Sequence, residues 1–275
     1  MSQLRPGVRA ETGAAPAPDP TGGQASPEQL SPGGASPSSS RSAPPRGSGS
    51  GNGNGNGNGS SSPHETPENY RQLVHRYAEY APIYDRRFAN YSRRTLAATI
   101  AEIPLEGVEN VLDVACGTGL LGEYLRTSRP GLPMLGVDIS PDMLEVARAR
   151  FRDEPYDWKV GRAESLPTED DSFDVITCNS AFHLVESPLD ALAEFRRVLR
   201  PGGRLVIVDW CREYPTMHAM HIGLRIFGKH PRNMKTLAEQ TALVEQSGLD
   251  LRKAERFKVT WFWGLMVHVA FEPER

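Results

Sequence analysis

The residues best suited to chemistry begin with Gly117-Thr118-Gly119, which follow the run Val111-Leu112-Asp113-Val114-Ala115-Cys116. Glycines lack a β-carbon, so the chain can turn tightly there and a ligand can lie against bare backbone N–H groups. The loop reads as a cofactor seat. Gly117-Thr118-Gly119-Leu120-Leu121-Gly122 also fits the G-x-G-x-x-G dinucleotide pattern, and Asp138 follows at the spacing of a ribose-binding acid. Asp113 separates the two readings. A carboxylate at the mouth of the strand repels a pyrophosphate and suits a ligand carrying an ammonium and a sulfonium. Further on, Asn179 and His183 follow the apolar run 173–178. Imidazole titrates near neutrality and can take a proton from a hydroxyl or an acidic carbon. The competing reading of His183 is a helix-start residue that only hydrogen-bonds locally.

These residues need elements to bring them together. The run 111–114 reads as a buried strand, entering a helix over 120–126. Pro130-Gly131 then leads to a second strand, 134–137, that ends in Asp138. Ser140 as N-cap and Pro141 at the first helical position open a helix over 142–151, whose Met143, Val146, Ala147 and Phe151 share a face. A short strand over 158–160 and a β-branched strand over 173–178 follow. Ser187-Pro188 begins the next helix, and Pro201-Gly202-Gly203 turns into a strand over 205–208. Three such strand-helix-strand units argue for right-handed crossovers and a doubly wound parallel α/β sheet. Ligands bind such sheets at the carboxyl ends of the strands, where Asp113, Asp138, Asn179 and His183 all fall.

The chain resembles the class I S-adenosylmethionine-dependent methyltransferases, in particular the small-molecule branch that includes ubiquinone/menaquinone C-methyltransferase-like proteins. The resemblance runs from about Tyr70 to about Phe271. It rests on Leu112-Asp113-Val114-Ala115-Cys116-Gly117-Thr118-Gly119, Gly136-Val137-Asp138-Ile139-Ser140, Phe173-Asp174-Val175-Ile176 and Leu199-Arg200-Pro201-Gly202-Gly203. Ala115 stands where the stricter pattern has a third glycine. The family implies a mostly parallel seven-stranded sheet with an antiparallel last strand, matching the two final strands expected over 249–258 and 262–271. It implies S-adenosyl-L-methionine as cofactor, seated by Asp113, Ala115, Cys116, Gly117, Gly119 and Asn179, with Asp138 on the ribose hydroxyls. Ile139 and Met143 would flank the adenine, and the Ala163 backbone and Glu164 side chain would read its amine. An N-terminal helical lid over 67–105 would fold over the cofactor mouth with Tyr77, Tyr84 and Asp85. Tyr84 and His183 are then the candidate catalytic residues. A segment over 211–235 would cover the substrate, a small apolar or aromatic molecule that accepts a methyl group on oxygen or carbon.

Composition sets the remaining bounds. Residues 1–66 are dominated by Gly, Pro, Ser and Ala with a Gly-Asn run from Gly51 to Gly59. Such a segment cannot offset the entropy of ordering its backbone and reads as a disordered tail; a docking arm that folds on a partner is the alternative. Residues 67–275 suit one α/β domain. Arg5 and Arg9 are not followed by an aliphatic run, which argues against secretion. The apolar stretch 261–271 is too short to span a bilayer. A formal net charge of −3 with mixed signs suggests no nucleic-acid footprint. Cys116, Cys178 and Cys211 are odd in number and widely spaced, fitting a reducing cytoplasm. His218 and His221 are three apart but no third ligand stands at a metal-binding spacing. Two other classes stay open. One is a scaffold that binds the cofactor without consuming it, and the other is a nicotinamide oxidoreductase, disfavoured by Asp113 and the closing strands.

Overall fold

A computed structural model describes residues 68–104, 106–226 and 233–274. The expected tail over 1–66 and part of the substrate-side segment, 227–232, lie outside the described residues. Seven strands form one sheet in the order β3-β2-β1-β4-β5-β7-β6. They are β1 (Val111–Val114), β2 (Met134–Asp138), β3 (Tyr156–Val160), β4 (Phe173–Asn179), β5 (Leu199–Trp210), β6 (Asp250–Lys258) and β7 (Gly264–Phe271). The first five run parallel, β7 is antiparallel to β5, and β6 is antiparallel to β7. The expected doubly wound sheet with an inverted closing strand is the observed one.

Successive strand residues point to opposite faces, and the core divides accordingly. Leu112, Val114, Ile176, Leu205 and Ile207 pack on one face against Leu192 and Phe195 of α5 (Pro188–Val198) and Val244 of α7 (Leu237–Gln246). Val111 and Val175 face the other way, onto Leu121 and Leu125 of α3 (Leu120–Ser128) and Leu144 and Ala147 of α4 (Pro141–Arg150). β1 is buried along its whole length, as a central parallel strand requires. Before the sheet come α1 (Glu68–Tyr80), a 3-10 turn over Ala81–Ile83, and α2 (Tyr84–Ile100). Pro82, the second residue of that turn, separates the two helices. The segment after β5 forms α6 (Pro215–Ile226).

Some boundaries differ from the sequence expectation. β3 begins two residues earlier than residue 158. β5 starts at Leu199, not 205, because a register shift opposite Phe173 and Val175 and the left-handed Gly202 (φ 74°) carry Pro201-Gly202-Gly203 through the strand. α7 opens with a capping box: Thr236 Oγ1 accepts from the Glu239 N–H at 3.1 Å, and Glu239 accepts from the Thr236 N–H at 2.8 Å.

Candidate active site

The carboxyl ends of β1, β2 and β4 open onto three adjoining cavities. After Val114 the chain enters the left-handed region at Ala115 (φ 56°), Gly117 (φ 54°) and Gly119 (φ 78°). The two glycines serve differently. A β-carbon on Gly119 would lie 2.6 Å from the Trp158 ring, so this glycine exists for packing. A β-carbon on Gly117 would meet nothing within 4 Å, so the space above it is open to a ligand. Asp138 braces the loop, its carboxylate accepting from the N–H groups of Gly117 and Ser140, each at 2.8 Å.

The first cavity is a cleft of about 680 Å³. Its floor holds Ala115, Gly117, Asp138 and Asn179, its sides Ile139, Met143 and Ala163, and its cover Tyr70, Leu73, Tyr77 and Tyr84 from the lid. The second, about 550 Å³, lies between α2 and the loop and is lined by Asp113, Cys116 and hydroxyls of Ser92, Thr95, Thr99, Thr118 and Thr177. Thr177 Oγ1 donates to Asp113 at 2.7 Å. Gly119 and Glu164 stand outside both walls. Glu164 Oε1 instead accepts from the Tyr70 hydroxyl at 2.5 Å and from the Glu186 and Ser187 N–H groups, tying the lid to the start of α5.

The lid has further ties. Asp85 accepts from Thr118 Oγ1 at 2.6 Å and pairs with Arg150 of α4, which also donates to the Thr118 carbonyl. Tyr91 donates to Ser180 Oγ at 2.8 Å and accepts from Trp210 Nε1 at 2.7 Å. Ser180 is held at φ 58°, a conformation that is uncommon outside glycine.

The third cavity, about 810 Å³, is a chamber walled by rings: Tyr77, Tyr80, Tyr84, Phe88, Tyr91, Trp210 and Trp263, with Arg76 and His183. Tyr84 and Ser180 border all three cavities. His183 is buried, its Nδ1 lies 2.5 Å from Asp209 Oδ1, and its ring stacks on Trp210 with centroids 4.0 Å apart. Sequence reasoning placed His183 at this edge but missed Asp209 as its partner. The available signal was an acid near the carboxyl end of β5, one strand over from the histidine. The exposed Trp261, by contrast, lies on the surface.

Burial dominates the electrostatics. It pushes Asp113 up to about 7, with Asp138 adding like-charge repulsion and the Thr177 hydrogen bond opposing. Asp138 is also raised by burial, opposed by its backbone N–H partners. Tyr84 is pushed up to about 12 by burial and by Asp138 and Asp85, and burial raises the Cys116 thiol, keeping it a poor nucleophile. A buried and a half-buried carboxylate at an open glycine loop make a site that favours a cation. His221 is buried on α6 with its Nδ1 unpartnered; among the described residues no group of three or more His, Cys, Asp or Glu could hold a metal ion. Likewise, among them no helix is long and apolar enough to cross a membrane.

Comparison with known proteins agrees with this geometry. Residues 112–207 match the family model described as Methyltransferase domain. A ubiquinone/menaquinone biosynthesis C-methyltransferase of Desulfotalea psychrophila is 40% identical over 103 residues, 38% of this chain and 42% of that protein. A malonyl-[acyl-carrier protein] O-methyltransferase of Hahella chejuensis is 36% identical over 115 residues, 42% of this chain and 41% of that protein. The chain thus spans about two-fifths of the length of these curated relatives. A putative methyltransferase solved in complex with the Haloferax volcanii Trm112 methyltransferase activator shares the fold, with a TM-score of 0.63 at 22% identity over 72% of this chain and 98% of that one. Over residues 112–207 the chain is similar to a methyltransferase domain.

Proposed function

We propose that the protein is an S-adenosylmethionine-dependent methyltransferase acting on oxygen or carbon of a small apolar or aromatic molecule. The observation that carries this reading is the pair of acids, buried Asp113 and half-buried Asp138, at the open loop of Gly117. A pyrophosphate would meet two carboxylates there, whereas a cationic nucleoside is attracted. The residues fit the cofactor part by part. Asp138 retains lone pairs for ribose hydroxyls, Ile139 and Met143 offer apolar faces to a base, and the Ala163 backbone lies at its edge. Asp113, Asn179 and the threonine hydroxyls suit an amino-acid end. Glu164 Oε1 is engaged by Tyr70 and the start of α5, which leaves its buried Oε2, free of hydrogen bonds, and the backbone around Ala163 to read the adenine amine. When bound, the cofactor supplies an already activated methyl group. The chain's own task is to align an acceptor across Tyr84 and Ser180 and to exclude water. His183 and Tyr84 are the side chains placed to touch an acceptor. The three free cysteines support a reducing, cytoplasmic setting.

Calorimetric titration with S-adenosylhomocysteine, beside an Asp138→Ala variant and NADH, tests the reading. Binding that weakens on the order of 100-fold in the variant is expected from loss of charge-assisted hydrogen bonds. NADH binding in its place would return the loop to a dinucleotide role. Cofactor binding with no methyl consumed by any acceptor would favour the scaffold.

A further inference from the structure

We propose that the aromatic chamber is the methyl-acceptor site, that its acceptor is a hydroxylated aromatic ring bound with its proton on, and that His183, set by Asp209, removes that proton. The proposal rests on the methyltransferase reading and adds the acceptor class and a positioning residue. The chamber shares Leu73, Tyr77, Tyr84, Ser180 and Leu184 with the cofactor cleft, so the two adjoin along a common wall. Its walls are rings that stack edge or face on a planar guest, and among the described residues no carboxylate lines it, which leaves a cationic amine without a counter-charge.

The dyad supplies what a neutral phenol lacks. The 2.5 Å contact with the Asp209 carboxylate places the imidazole proton on Nδ1 and leaves the lone pair on Nε2. Stacking on Trp210, itself anchored by its N–H to Tyr91, fixes the ring plane. The buried carboxylate then stabilises the imidazolium that forms, while orienting it. The ionisable groups facing the dyad are Cys178 of β4, Tyr91 of α2, Lys235 before α7 and His268 of β7, with Arg76, Tyr77 and Tyr80 of α1 and Tyr84 of α2 across the chamber. In the step, an acceptor oxygen lone pair forms the bond to the methyl carbon as the sulfur–methyl bond breaks. Sulfur keeps that electron pair and becomes a neutral thioether, and the phenolic proton moves to His183 Nε2.

The test is the rate of methylation of a series of substituted phenols, whose acidities run from that of phenol to well below the assay pH. Wild type is compared with Asp209→Asn and His183→Gln. For the least acidic phenol kcat is expected to fall on the order of 100-fold in both variants with KM changed a few-fold. The penalty should shrink towards unity as the phenol becomes ionised in solution, and S-adenosylhomocysteine affinity should stay within about twofold of wild type. A penalty equal for every phenol would make the dyad structural and overturn the proposal, as would methylation of no phenol by a wild type that binds the thioether. If Asp209→Asn loses thioether binding because it fails to fold, His183→Gln carries the test. If wild type itself does not bind the thioether, the methyltransferase reading falls first.

Discussion

The cofactor cleft and the aromatic chamber meet at Tyr84 and Ser180 but are made of different material. The floor of the cleft is largely backbone: a loop at the end of β1, N–H groups turned onto Asp138, and acids carried by neighbouring parallel strands. The chamber is almost wholly side chains, delivered by α1, α2, the ends of β4 and β5, and the turn before β7. A backbone-built site is specified locally and tolerates little change of residue type. A side-chain-built site can change its guest by exchanging rings while the fold stays put.

The two regions should also answer pH in opposite senses, and it is the chamber side that loses stability in acid. His268 of β7 sits behind Asp209, held by Gln240 and Thr241 of α7, and burial pushes it down to about 4. Between the ordinary histidine value of about 6.5 and this value, the unfolded chain binds a proton that the folded chain does not. Stability therefore falls as pH drops through that window, by up to about 3 kcal/mol from this group alone at 1.36 kcal/mol per unit. Thermal melts from pH 7 to pH 4 should show a shallower loss in His268→Gln than in wild type. Equal slopes would remove His268 as the acid-sensitive element behind the chamber.

That difference in construction also explains what could be read beforehand. Asp113, Gly117 and Asp138 sit at strand ends that announce themselves by apolar runs and turn residues, so their convergence follows from the topology of a parallel sheet. The pairing of His183 with Asp209 spans 26 positions, Tyr91 with Ser180 spans 89, and Tyr70 with Glu164 spans 94. No periodicity links such residues; they meet only once helices have packed. Glu164 shows how a side chain can carry more than local reading announces: Tyr70 holds Oε1 at 2.5 Å across 94 positions, while Oε2 is buried without a hydrogen bond. β5 was cut short at residue 205 because Pro201-Gly202-Gly203 reads as a turn, and only pairing with β4 across a shifted register keeps it in the sheet.

Within the cleft, the two loop glycines offer a smaller and more selective test of the backbone argument. Gly119→Ala forces a β-carbon into Trp158 and a left-handed backbone onto alanine, costing roughly 2 kcal/mol or more of stability. Gly117→Ala meets no protein atom, so its stability cost should stay near the roughly 1 kcal/mol of the strained φ. Its new methyl group stands in ligand space, so its main deficit should appear in cofactor affinity. Melting temperatures and titrations of the two variants should rank them in opposite orders. The same rank in both assays would mean that the space over Gly117 is not used by a ligand.

A further pH effect bears on Asp113, and its sign is opposite to that of His268. Burial raises Asp113 from an ordinary 3.8 to about 7, so between those values the folded protein holds a proton that the unfolded chain has lost. This group's contribution to stability is present below 3.8 and is lost as pH rises through 7, so the empty protein should be less stable at pH 8 than at pH 6. A cation that favours ionised Asp113 reverses that loss. S-adenosylmethionine should then bind more weakly as pH falls below 7, by up to about tenfold per unit, because the carboxyl must give up its proton on binding. Asp113→Asn should flatten the slope. The neutral thioether separates the two charges of the ligand: an equal slope assigns the effect to the ammonium, and a lost slope assigns it to the sulfonium. Acceptor affinity, governed by a chamber without a carboxylate on its wall, should not follow this curve, and if it did the two regions would not be electrostatically distinct.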